Sequence, residues 1–435
     1  VTGAGESEVG RETELPPRPD PAMSNLLSRS ALIGALLLAA CSEGTGPGDA
    51  GNTPVDSLTA LPRALTAVER EGIQANNSFA LHLLRTTASS RSGNVLLSPL
   101  SVSFALGMTM NGAGGETLAE MNRTLGWGTR TRAETNVAYR DLRTMLPTLD
   151  NSTTIRIANG LWVRQPLVID TGFLREAQTF FNAPAQSLRT SQIMYDSVNV
   201  WGNRHTDGMI PRVLQEPPRE DLAMLLANAV YFSGTWRDKF DPAKTTPMPF
   251  TLASGTQVSH PMMQRAGDFN VYQNSQLMAA ELLYGNAAYS MVVIAPASGT
   301  AAALAARLDS ATYATIVQGL RKSDDRSMIF LPRFKVAGSL ELSPELKAMG
   351  MPRAFTTAAE FPRLVNARTM LDFVQHSVAL EVDERGSRAA AVTVVGVVPV
   401  SAPPSYQFNR PFVFFIRERL SGTILFTGVV NDPRQ

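Results

Sequence analysis

Residues 384 to 401 of this 435-residue chain read Glu-Arg-Gly-Ser-Arg-Ala-Ala-Ala-Val-Thr-Val-Val-Gly-Val-Val-Pro-Val-Ser, and no other stretch limits the fold as much. A charged turn (Asp383, Glu384, Arg385, Gly386) leads into small side chains that fit a tight space, then into β-branched residues that favour a strand. Pro399, Pro403 and Pro404 argue against a permanent central strand, because proline cannot donate to a ladder. The segment reads as a loop that can become a strand. Side chains alternate between faces in a strand, so Ser387, Ala389, Ala391 and Thr393 would share one face and Arg388, Ala390 and Val392 the other. The first set is small and uncharged, as a packed face requires. The single charge, Arg388, falls on the face that can stay in water.

The rest of the chain narrows the possibilities. At 44% hydrophobic residues it can bury one large core or two ordinary ones. A net charge of +1 gives no case for a nucleic-acid partner. The sole cysteine, Cys41, excludes a disulfide framework, and His82, His205, His260 and His376 are scattered without metal-ligand spacing. No nucleophile motif stands beside a histidine, so the sequence offers no catalytic site, no metal site and no cofactor site. Residues 1 to 22, rich in Pro and Glu, precede a plausible start at Met23 and are not expected in the mature protein. Residues 23 to 40 read as an export signal: Arg29, then a short apolar run from Ala31 to Ala40. That run is too short to span a bilayer, which takes about 20 residues. Leu38-Ala39-Ala40-Cys41 is similar to a lipobox, so a bacterial lipoprotein with a lipid on Cys41 is expected, exported and held on a membrane by that lipid. Ser42 after the cysteine points to the outer membrane. Residues 41 to 64 read as a Gly- and Pro-rich flexible tether, and residues 65 to 435 as one uninterrupted folded body.

Within that body helices come early and strands late, an α+β arrangement. Phe79, Ala80, Leu83 and Leu84 fall at helical spacing; Ser98-Pro99 opens a helix, which Gly112 to Gly115 interrupts before Thr117 to Leu125 resumes. Ile155, Ile157, Leu161 and Val163 alternate as a strand, and Leu222 to Phe232 is an apolar run of the buried-strand kind. Phe412 to Ile416 and Thr423 to Val430 bracket a closing hairpin turn.

Six blocks, in order, resemble the serpins. They are Asn94-Val-Leu-Leu-Ser98-Pro99-Leu-Ser101 with Gly112-Ala-Gly-Gly-Glu-Thr117; Asn199-Val-Trp201 with Thr206-Asp-Gly-Met-Ile210; Asn228-Ala-Val-Tyr-Phe-Ser-Gly-Thr-Trp236 with Phe240-Asp-Pro242; Leu331-Pro-Arg-Phe334; Asn409-Arg-Pro-Phe412; and Phe426-Thr-Gly428. The resemblance implies three β-sheets, eight or nine helices and an exposed reactive-centre loop at about 384 to 405. It also implies a monomer that traps a serine protease as a covalent acyl complex, its cut loop inserting into the main sheet. Hinge residues would be Glu384, Gly386, Ser387, Ala389, Ala390, Ala391 and Thr393. Arg388 and Ser387 depart from the family's usual Glu and Thr without burying a charge. The family's register places the reactive bond between Val400 and Ser401, with a bond beside Val398 the second choice; Val400 suits an elastase-like or subtilisin-like protease. Ser98, Ser101, Asn228 and His376 match a polar cluster beneath the main sheet that holds it shut. Trp236, Arg333 and Glu384 match the site where the loop first inserts, with a Glu384–Arg333 ion pair. A non-inhibitory relative acting as a binding or chaperone protein is the alternative.

Overall fold

The computed structural model describes residues 56–324, 326–386 and 404–435. Cys41 and its signal, the hinge residues Ser387, Ala389, Ala390, Ala391 and Thr393, and the Val400–Ser401 bond lie outside the described residues.

The described chain forms three β-sheets and nine α-helices, an α+β architecture. A five-stranded sheet runs in the order Phe334–Glu341, Phe373–Val382, Met224–Gly234, Thr153–Arg164, Ala185–Leu188. A seven-stranded sheet holds Ile424–Val430 and Phe412–Glu418 as its second and third strands, whose antiparallel pairing closes the expected hairpin. A four-stranded sheet contains Thr246–Thr251, Gln257–Ala266, Met328–Pro332 and Ser405–Gln407.

Between the first two sheets lies the helix Pro99–Met110, every residue of which is buried. Its Pro99 sits at the first helical position, where a missing N–H loses nothing. Gly114 then caps the next helix, Gly115–Leu125, as the glycine run suggests. On the opposite face of the five-stranded sheet the helix Ser191–His205 packs Met194, Val198 and Trp201 onto Trp162, Leu225 and Ala227. That sheet is therefore covered on both sides, which is why Met224–Gly234 is buried almost throughout. The expected alternation of Ile155, Ile157, Leu161 and Val163 holds, these four facing the main core while Ala158 and Trp162 face the helix Ser191–His205. Burial alternates only at the start of Thr153–Arg164 and becomes continuous from Ala158, where the helix overlies the strand.

Packing against the body begins before the expected boundary at residue 65. Leu58 N–H donates to the Asn286 carbonyl (2.7 Å), Arg237 bonds the Ser57 hydroxyl, and Leu58, Leu61 and Leu65 pack on the core.

Candidate functional site

The site begins at a seam. Phe373–Val382 and Met224–Gly234 lie side by side and parallel, paired seven times from Phe373↔Leu225 to Ala379↔Tyr231. There the ladder stops, and Leu380 to Val382 and Phe232 to Gly234 have no pairing with each other. Above this gap the chain reverses over Asp383 to Gly386. Gly386 makes antiparallel bridges to Asp383 on one side and Thr235 on the other. It exchanges both backbone hydrogen bonds with Asp383, at 3.0 and 3.3 Å. Its φ is +132°, and a Cβ there would sit 2.1 Å from the Gly234 carbonyl oxygen and 2.6 Å from the Trp236 nitrogen. Only glycine fits.

Backbone bonds fasten the turn to the loop after Met224–Gly234: Trp236 N–H donates to the Arg385 carbonyl (2.8 Å) and Phe240 N–H to that of Glu384 (2.9 Å). The Trp236 indole donates to the Asp383 carbonyl at 2.9 Å and stacks on Tyr284, ring centroids 4.3 Å apart. Glu384 is buried, and its carboxylate accepts from Arg333 Nε at 2.6 Å and from the Thr245 hydroxyl. Burial alone would raise its pKa; the Arg333 and Thr245 hydrogen bonds outweigh burial and hold it below the usual carboxylate range. The expected Trp236, Arg333 and Glu384 thus meet in space. Thr245 was not foreseen, and no motif in the sequence links it to Glu384.

Lower down the seam, Leu340, His376, Asn228 and Asn159 stand side by side across four adjacent strands. Ser98 and Ser101, at the start of the buried helix, approach from beneath. The Ser98 N–H donates to His376 Nε2 at 3.0 Å, so that nitrogen is the acceptor and Nδ1 carries the proton. Nδ1–H donates to Asn228 Oδ1 at 2.6 Å. Asn228 Nδ2 in turn donates to Ser101 Oγ and, at 2.6 Å, to Asn159 Oδ1. The Ser98 hydroxyl donates to the Leu425 carbonyl in the seven-stranded sheet at 2.8 Å rather than capping its own helix. His376 is fully buried, and burial pulls its pKa down to about 3, so it is neutral. All four expected residues come together. Asn159 extends the row, and its signal in the sequence was a lone amide inside an apolar strand. A fixed tautomer, satisfied at both ring nitrogens, ties the two seam strands to each other and to the helix below.

A family model described as "Serpin (serine protease inhibitor)" matches residues 74–433. The chain is 32% identical over 375 residues to Iripin-8 of Ixodes ricinus, covering 82% of this chain and 92% of that protein. Among solved structures, mouse protein-Z dependent protease inhibitor superposes with a TM-score of 0.76 at 26% identity, covering 84% of this chain and 99% of the other. Human thyroxine-binding globulin complexed with thyroxine superposes with a TM-score of 0.78 at 25% identity, covering 85% and 100%. One of these two solved neighbours is described as a protease inhibitor and the other as a thyroxine-binding globulin.

Proposed function

The chain belongs to the serpin family, and on that footing we propose that it inhibits a serine-type endopeptidase by loop cleavage, acyl trapping and insertion of the cut loop into the five-stranded sheet. It is not a hydrolase in this reading. The observation that carries the proposal is Gly386, which already occupies the slot between Asp383 and Thr235 in the direction an inserting strand would run.

Continuing those two bridges gives a register. Each step forward along the loop is a step back along both seam strands. Ser387 to Ala389 would fill the unpaired gap, and Ala390 would be the first residue to displace an existing pair, Ala379↔Tyr231. Thr393 would arrive between His376 and Asn228, on their buried face. Arg388 would lie beside Glu381 on the opposite face. Pro399 would fall beyond the starts of both strands, at Phe373 and Met224, so it would break no ladder. The register agrees with the face assignment made from alternation alone.

Fourteen residues, Ser387 to Val400, would span roughly 46 Å as a strand, enough to carry a linked protease the length of the sheet. Loss of one oxyanion-hole donor slows a protease by about 100- to 1,000-fold, so deacylation at a typical turnover of about 10 per second would still finish within minutes. Disrupting the Ser–His pair costs on the order of a million-fold and stretches the same step to about a day. The trap must therefore deform the protease's catalytic residues. Val400 directs it to an elastase-like or subtilisin-like enzyme, and the lipid on Cys41 would hold the monomer at the outer membrane, reached by export.

Incubation with an elastase-like protease followed by denaturing electrophoresis tests the proposal. The expected result is a covalent complex, with a released C-terminal peptide whose mass starts at Ser401. Cleaved chain with no complex would favour a non-inhibitory binding role, as the likeness to thyroxine-binding globulin permits. Thr393→Arg should give cleavage without trapping, because it sets a charge between His376 and Asn228; a variant that still traps protease would overturn the register.

A further inference from the structure

The seam is fastened at its foot as well as at its head. Beyond the last ladder pair at that end, Phe373↔Leu225, stand Asp372 on one side and Ala223 and Met224 on the other. The Asp372 N–H donates to the Met224 carbonyl at 3.2 Å. Its carboxylate also reaches across the seam, where Oδ2 accepts from the Ala223 N–H at 2.8 Å and from the Met224 N–H at 2.9 Å. Hydrogen bonds to an ionised carboxylate are about twice as strong as neutral ones. The Asp372 side chain is only 5% exposed, so water competes weakly for these two. Arg219, 3.7 Å from the other carboxylate oxygen, lies in solvent and adds little. Ala223 is held from its far side too, its carbonyl accepting from the Arg164 N–H at 2.9 Å. One residue thus engages both backbone groups of Met224.

The register set out above gives that engagement a consequence. Gly386 exchanges both hydrogen bonds with Asp383, and Trp236 N–H donates to the Arg385 carbonyl. Counting on from those bonds, a loop that had displaced all seven pairs would next bring Val397 opposite Met224. The alternation of an antiparallel ladder makes that a hydrogen-bonded pair, which needs the Met224 N–H and carbonyl together. Asp372 already occupies both.

We propose that Asp372 is a latch at the foot of the seam, a positioning residue that sets whether insertion, begun at Gly386, runs to the end of the sheet. The inference rests on the inhibitory reading above. Asp372→Ala in the whole chain tests it, with Asp170→Ala as control; Asp170 caps a helix away from the seam, accepting from the Phe173 N–H at 2.9 Å. The inhibitory activity of Asp372→Ala in storage should decline about 10- to 100-fold faster than the parent's, as the loss of charged hydrogen bonds implies. Asp372→Asn, whose amide oxygen can still accept, should fall between the two. In guanidinium, the midpoint of intact Asp372→Ala should drop, while that of its protease-cleaved form should match the cleaved parent, because there the loop has taken over the Met224 groups. A purely structural loss, as in Asp170→Ala, lowers both forms alike. An unchanged rate of decline, or an equal drop in both forms of Asp372→Ala, would overturn the latch. A parent that is cut without trapping protease removes the inhibitory reading and the latch with it, and that outcome is seen in the parent before any variant is compared.

Discussion

Single atoms decide much at the top of the seam. Gly386→Ala places a methyl group against two backbone atoms in a conformation that other residues avoid. The turn must shift, at about 1–3 kcal/mol or more, and thermal denaturation should show a lowered midpoint. Glu384→Lys replaces a buried, doubly bonded carboxylate with a cation facing Arg333. It should free the turn and make the protein polymerise on mild warming; unchanged monomer in native gels would count against the pair's holding role. His376 has a pH signature. Its pKa in the fold is about 3, well below the ordinary value near 6.5, so the unfolded chain takes up the proton first. The stability it supports is whole above about pH 6.5 and drains away between there and pH 3, by up to about 1.4 kcal/mol per pH unit. Chemical denaturation of parent and His376→Asn from pH 7 to 4 should show a slope difference of that sign. Parallel curves would mean that the ring does not stay neutral.

The elements differ in how plainly the sequence announces them. Helix Pro99–Met110 is signalled by its Ser-Pro start, and Phe412–Glu418 with Ile424–Val430 by two β-rich runs around a polar turn. Ile155, Ile157, Leu161 and Val163 alternate as expected, but that pattern gives no sign that a helix distant in sequence also buries the second face from Ala158 onward. Among the site residues, those in recognisable blocks were legible: Ser98, Ser101, Asn228, Trp236, Arg333. Thr245 was not, since its partner Glu384 is brought near only by the turn's backbone bonds to Phe240. The body-side end of the tether was hidden for the same reason, its partners Asn286 and Arg237 being remote in sequence. A chain beginning at residue 66 should be less thermally stable than one beginning at residue 53, because it loses the contacts of Ser57, Leu58, Leu61 and Leu65. Equal midpoints in calorimetry would show that the docked segment adds nothing.

Across the whole molecule, the five-stranded sheet holds one parallel pairing between long strands, and it lies where a segment of the same chain can run antiparallel to both neighbours. Parallel pairing is slightly the less stable kind per residue. Inserting the loop would exchange one parallel ladder for two antiparallel ones, with the reversal of direction already made at Gly386. On the proposed mechanism the arrangement seen here would not be the deepest available to the chain, and it would persist because seven pairs and the His376–Asn228 bond must part first. The consequence is a shelf life. Active protein left alone should decline with first-order kinetics, set by the height of a barrier rather than by the depth of a well, and no protease is needed for the clock to run.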